Sequence, residues 1–108
     1  MALTIKNLWE LQLTATQTPF GSVAAGKAVI VKTIHLVNTD TSARTVNLYY
    51  AKSGGGTRRL TPVDMIIPAG GMVVLDDEVT MSASDALQGK ADIPAKVDVV
   101  VSGVERDI

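Results

Sequence analysis

The chain has 108 residues, 46% of them apolar and 19% charged, with a formal net charge of −1, one histidine and no cysteine. That length fits one domain able to bury roughly two-thirds of its unfolded surface, and the lack of cysteine excludes disulfides, thiolate metal sites and thiol nucleophiles together. A near-neutral balance argues against a general nucleic-acid binder held by phosphate contacts, and no apolar run approaches the roughly 20 residues of a membrane helix, so a soluble protein with no nucleic-acid or membrane partner is expected.

The first residues, Met1-Ala2-Leu3-Thr4-Ile5-Lys6, lack a basic region followed by an apolar run, so no targeting segment is expected. Residues 1–7 read as a possible N-terminal arm. From there on apolar residues recur mostly with period two, broken by clusters of Gly, Pro, Asn, Asp and Ser, which is the pattern of short strands joined by turns. Residues 8–15 predict a strand burying Trp9, Leu11, Leu13 and Ala15 against exposed Glu10, Gln12 and Thr14. Thr18-Pro19-Phe20-Gly21 reads as the turn that ends it.

Residues 27–38 form the longest run. Ala28, Ile30, Ile34 and Leu36 are placed on one face, and Val29, Val31 and Val37 on the other with Thr33 and His35, so a central strand is expected. Asn38-Thr39-Asp40-Thr41-Ser42 is turn chemistry. Residues 45–51 return as a strand with Val46, Leu48 and Tyr50 inward and Tyr49 at the surface. Lys52-Ser53-Gly54-Gly55-Gly56-Thr57 predicts an exposed, mobile loop, followed by short strands at 58–61 and 63–67 split by Pro62.

After Pro68-Ala69-Gly70-Gly71, strands are predicted at Met72–Leu75, Val79–Met81, 85–88 and 96–104, the last with Val97, Val99 and Val101 on one face and Val100 on the other. The expected architecture is all-β: a single-domain, jelly-roll-like β-sandwich of about eight strands covering residues 1–108. Residues 24–31 and 68–75 echo each other, each a small residue and a glycine turn leading into an apolar strand, and they read as two similar corners of one sandwich.

Charge is divided along the chain. Residues 1–60 carry seven cations against Glu10 and Asp40, while residues 61–108 carry Lys90, Lys96 and Arg106 against nine acids. Pairing between neighbouring strands is the expected use of this split, with complementary docking faces as the alternative.

Candidate chemistry is sparse. His35 sits among valines and isoleucines with no Ser, Cys or carboxylate pattern to complete a triad, so a structural or interfacial role is expected. Asp76-Asp77-Glu78 offers carboxylates to a cation, but neighbouring strand residues point to opposite faces, and the three converge only in a tight loop. An acidic, solvated corner is expected there, with cation binding left open. Gly54-Gly55-Gly56 before Arg58-Arg59 lacks the Gly-Lys-Ser/Thr of a phosphate loop and reads as a contact loop with basic flanks. No catalytic, cofactor-binding or metal-ligating residue is assigned, and no cofactor or enzyme activity is expected.

Four stretches carry a resemblance: residues 26–39 (Gly26-Lys27-Ala28-Val29-Ile30-Val31 through Asn38-Thr39), residues 43–49 (Ala43-Arg44-Thr45-Val46-Asn47-Leu48-Tyr49), Ile67-Pro68-Ala69-Gly70-Gly71, and residues 97–105 ending Ser102-Gly103-Val104-Glu105. Together they resemble small virion structural proteins of tailed bacteriophages. The resemblance rests on strand-and-turn patterns across nearly the whole chain and carries no functional residue. It implies a β-sandwich module of a phage particle, commonly a homotrimer. The leading expectation is a non-enzymatic capsid decoration (cement) protein that binds the major capsid protein or another virion protein, stabilises the head exterior and uses residues 1–7 as an anchor. A tail-fibre or receptor-binding module recognising host carbohydrate is the alternative, and a hydrolase using His35 with Asp76 or Asp77 is the third reading.

Overall fold

The computed structural model describes residues 3–76 and 78–108. The described chain forms ten strands: β1 (Leu3–Gln12), β2 (Thr18–Ser22), β3 (Lys27–Asn38), β4 (Arg44–Ala51), β5 (Thr57–Arg59), β6 (Met65–Ile67), β7 (Met72–Leu75), β8 (Val79–Met81), β9 (Ala86–Ala91) and β10 (Val97–Asp107). They make two antiparallel sheets. Sheet A has the order β1-β10-β3-β7, with β8 also on β3, and sheet B has the order β2-β9-β4-β5, with β6 also on β4.

The pairing is nested. β10 lies between β1 and β3, and β9 lies between β2 and β4. With β5 and β6 counted as one interrupted strand, and β7 and β8 as another, ten strands reduce to the eight expected of a jelly-roll-like sandwich. The break between β5 and β6 has a local cause. Pro62 cannot donate to a ladder, and Asp64 adopts φ 51° between β5 and β6.

The core lies between the sheets. Val29, Val31, Ile34 and Leu36 of β3 and Val97, Val99 and Val101 of β10 meet Val46 and Leu48 of β4, Leu87 and Ala91 of β9, and Ile67 and Met81. Each fully buried aliphatic side chain is worth about 1.5–3 kcal/mol of transfer free energy. Glycines make room where strands cross closely: a Cβ on Gly21 would stand 2.2 Å from the Trp9 ring, and one on Gly89 would stand 2.8 Å from Leu48.

Three expectations are corrected. Thr18-Pro19-Phe20-Gly21 is strand β2, because Pro19 is tolerated where β2 forms the outer edge of sheet B. Residues 3–7 of the expected arm are ladder residues of β1, from Leu3 opposite Arg106 to Asn7 opposite Ser102, while Met1 and Ala2 lie outside the described residues. In β3, Val29 and Val31 share the inner face with Ile34 and Leu36, leaving Ala28 and Ile30 outside. The register between β10 and β3 passes from Ser102 opposite Thr33 to Gly103 opposite Val31, so Lys32 is an extra, bulged residue that reverses the alternation.

The echo between residues 24–31 and 68–75 is one turn used twice. Lys27 N–H bonds to Ala24 O across Gly26 at φ 76°, and Gly71 N–H bonds to Pro68 O across Gly70 at φ 67°, a conformation open to glycine without steric cost. Charge is used as expected for neighbouring strands. Lys6–Glu105, Lys27–Asp107, Lys32–Glu78 and Arg44–Asp92 each join a first-half cation to a second-half acid.

Candidate interaction face

Sheet A covers the core with one face and presents the other to solvent. Register fixes the composition of that outer face in rows running across the strands. Ile5, Val104, Ile30 and Thr80 form one row, and Glu10, Val100, His35 and Val74 form another. Asn7, Ser102 and Thr33 lie between them; Gln12, Asp98, Val37 and Met72 close one end, and Arg106 beside Ala28 closes the other.

The first of these rows is largely apolar, and the second alternates Val100 and Val74 with Glu10 and His35. Ile5 is 84% exposed, Met72 59%, Val74 42% and Val100 37%, so half of the eight large exposed hydrophobics among the described residues share this one face. A solvated sheet face ordinarily alternates to polar residues. Exposed apolar residues gathered on one sheet face make it a candidate contact surface.

The face is also shaped and charged. Ala28, Ile30, Thr80, Val104 and Arg106 line an almost wholly apolar hollow of about 330 Å³. Toward the other end, Glu10, Asp98 and Val100 line a more polar hollow of about 270 Å³. Asp98 Oδ1 accepts a hydrogen bond from Gln12 Nε2 at 2.9 Å, which fixes the carboxylate at the rim. Among the described residues Arg106 and Glu10 form no ion pair.

His35 stands within this face, with Val100 and Val74 as its ladder neighbours. Register puts valines on both sides of the imidazole, and no carboxylate of the described residues bonds to it. Asp76 is exposed just beyond β7, Glu78 pairs with Lys32 at 2.7 Å, and Asp77 lies outside the described residues. Among the described residues no three His, Asp or Glu side chains gather closely enough to hold a metal ion.

The outer face of sheet B is built differently. Arg59 lies over the Tyr49 ring at 5.0 Å, and its guanidinium donates to Asn47 Oδ1 and, at 3.2 Å, to Thr61 O. Asn47 Nδ2 donates to Asp64 Oδ1 at 2.9 Å. Tyr49, expected at the surface, is buried because Arg59 covers its ring. The basic flank of the glycine loop divides, Arg59 being tied into this network while Arg58 stays exposed.

One buried carboxylate escaped the reading of the sequence. Asp85 is 2% exposed and accepts from Tyr50 Oη at 2.7 Å, Ser53 N at 2.8 Å and Ser82 N at 2.9 Å, tying the glycine loop to the start of β9. Burial by itself would raise its carboxyl; the N–H groups of Ser53 and Ser82 and the Tyr50 hydroxyl outweigh that and hold it below the usual carboxylate value. The same bond holds the Tyr50 hydroxyl above its ordinary value. Both of its oxygens accept from groups within the fold, so Asp85 is a structural tie.

No known family model matches the chain, and no characterised protein matches it in sequence. Solved structures do resemble it. A Drosophila NLP core, whose structure was described for its insight into pentamer formation and histone binding, is 18% identical with a TM-score of 0.51, over 94% of this chain and 100% of that one. A chain of infectious bursal disease virus, Gx strain, is 11% identical with a TM-score of 0.53, over 96% of this chain and 32% of that one. A pentameric capsid protein from metagenomic phage sequences is 20% identical over 94% of this chain and 66% of that one, with a TM-score of 0.42. At these identities the shared feature is the fold, and at 0.42 the third match carries no weight.

Proposed function

We propose that this protein is a structural protein of a virus particle that works by docking and not by catalysis, and that within this class it is a decoration (cement) protein of a tailed-phage head. The observation that carries the reading is the exposed apolar outer face of sheet A on a domain whose core is already complete between the sheets. The phage resemblance of residues 26–39, 43–49, 67–71 and 97–105 supports the virion role, and so does a sandwich likeness to a viral chain. The Drosophila structure's description speaks of pentamer formation, which favours five copies over the three implied by the phage resemblance. It also speaks of histone binding, but a net charge of −1 gives this chain no electrostatic drive toward a polycation.

The test is to mix the purified protein with undecorated phage heads and image them. Added density at fixed positions on the shell, with a raised head-disruption temperature, is the expected result. Heads that stay bare overturn the decoration role, and specific binding to host glycans in the same preparation assigns the module to a receptor-binding fibre. Light scattering on the free protein gives the number of copies as a multiple of 11.4 kDa.

A further inference from the structure

We infer that the outer face of sheet A is covered by the same face of a second copy, the two related by a two-fold axis that runs across the strands. This rests on reading that face as a contact surface and not on the virion role. The argument is one of complementarity. Along β10 the outward residues run Asp98, Val100, Ser102, Val104, Arg106, acidic at one end, basic at the other and apolar between.

Two in-plane axes can bring such a face onto itself. An axis along the strands sets Arg106 against Arg106 and Asp98 against Asp98, which opposes like charges. An axis across the strands, centred near Ser102, sets Arg106 of each copy over Asp98 and Glu10 of the other. The same operation lays Val100 and Val74 of one copy over the hollow formed by Ala28, Ile30, Thr80 and Val104 of the other. It also brings the Arg106 guanidinium to the hollow whose rim carries Glu10 and Asp98. Among the described residues Gln12 bonds Oδ1 of Asp98 and no side chain bonds Oδ2, which can receive it. Val100 and Val74 then meet Val104 and Thr80, His35 and Glu10 lie over Ile30 and Ile5, and opposite charges meet twice.

From Asp98 to Arg106, with four strands abreast, the footprint is roughly 27 by 19 Å, about 500 Å² per copy, from strand rise and spacing. That is the size of a functional apolar patch and of the weaker specific interfaces, so a dissociation constant on the order of micromolar is expected. Two such faces sealed together leave the loops and sheet B free for any other partner.

Charge swapping tests the pairing in the full chain by sedimentation equilibrium. The wild type should sediment as an even multiple of 11.4 kDa, ten copies where rings of five pair through this face. Arg106→Glu alone and Asp98→Arg alone should each raise the dissociation constant by about tenfold or more, because each homodimer then carries two like-charge contacts. An equimolar mixture of the two variants should associate again as a heterodimer, since every contact in the mixed pair is opposite in sign. Circular dichroism on each variant confirms that it is folded. A monomeric wild type, single variants that associate as the wild type does, or a mixture that fails to recover association each overturns the inference. Because the docking reading uses this same face, head binding is measured separately on the wild type and on each variant.

Discussion

Asn38 is fully buried and leaves none of its polar atoms unmet. Its Nδ2 donates to Ser42 O at 2.9 Å, Ile67 O at 3.0 Å and Pro68 O at 3.2 Å, while Oδ1 accepts from Asp40 N at 2.9 Å, so one amide clasps the β3–β4 turn to the segment that follows β6. Asn38→Ala strands carbonyls in the core and should cost about 3 kcal/mol in urea unfolding, with Asn38→Asp at least as harmful. Asp85 gives the protein an acid limit. Its carboxyl is lowered in the folded state, so its stabilisation is fully present above the unfolded value of about 3.9 and is lost as pH falls through the folded value. Stability measured from pH 5 to pH 2 should therefore fall less steeply in Asp85→Asn, which should be less stable at pH 7 by about 1–3 kcal/mol. Ala95 is held at φ 61° and exposed, so Ala95→Gly should raise stability by up to about 1 kcal/mol. Little of this was legible in the sequence. Asn38 read as ordinary turn chemistry and Asp85 as the first residue of a strand, because a buried polar role depends on which carbonyls and N–H groups arrive from elsewhere in the fold.

At the scale of elements, period two located most of the strands because one face of each is buried, and it named Trp9, Leu11 and Leu13 and Val97, Val99 and Val101 as inward-facing, but it also placed Ala15 inward, which is exposed beyond the end of β1. It failed where the backbone departs from regular pleating. The extra residue at Lys32 looks like any other position in an apolar run, yet it moves Val29 and Val31 into the core and puts Ile30 on the surface. The apolar character of sheet A's outer face was hidden for the same reason. Gly103 sits opposite that bulge, and a Cβ there would lie 2.1 Å from Ile30 O, a backbone atom that cannot turn aside. Gly103→Ala should cost about 3 kcal/mol. Deleting Lys32 should be worse: restoring strict alternation turns one end of β3 inside out, and the variant should fail to give a cooperative unfolding transition.

For the whole molecule, the charge split along the chain was legible as pairing between strands, whereas the proposed docking face needed the assembled sheet. The ion pairs joining the two halves are largely exposed, so added salt should leave the unfolding midpoint nearly unchanged. The pairing of β1 with β10 has a different consequence. Leu3 stands opposite Arg106, so the first and last strands lie side by side although almost the whole sequence separates them. A short linker from Ile108 to Met1 would turn the most distant pairing in the chain into a hairpin, and new termini could be opened among the exposed glycines at 54–56. Such a circular permutant would keep every ladder while lowering contact order. It should refold faster than the parent with little change in its unfolding rate, as stopped-flow chevrons on the two chains would record.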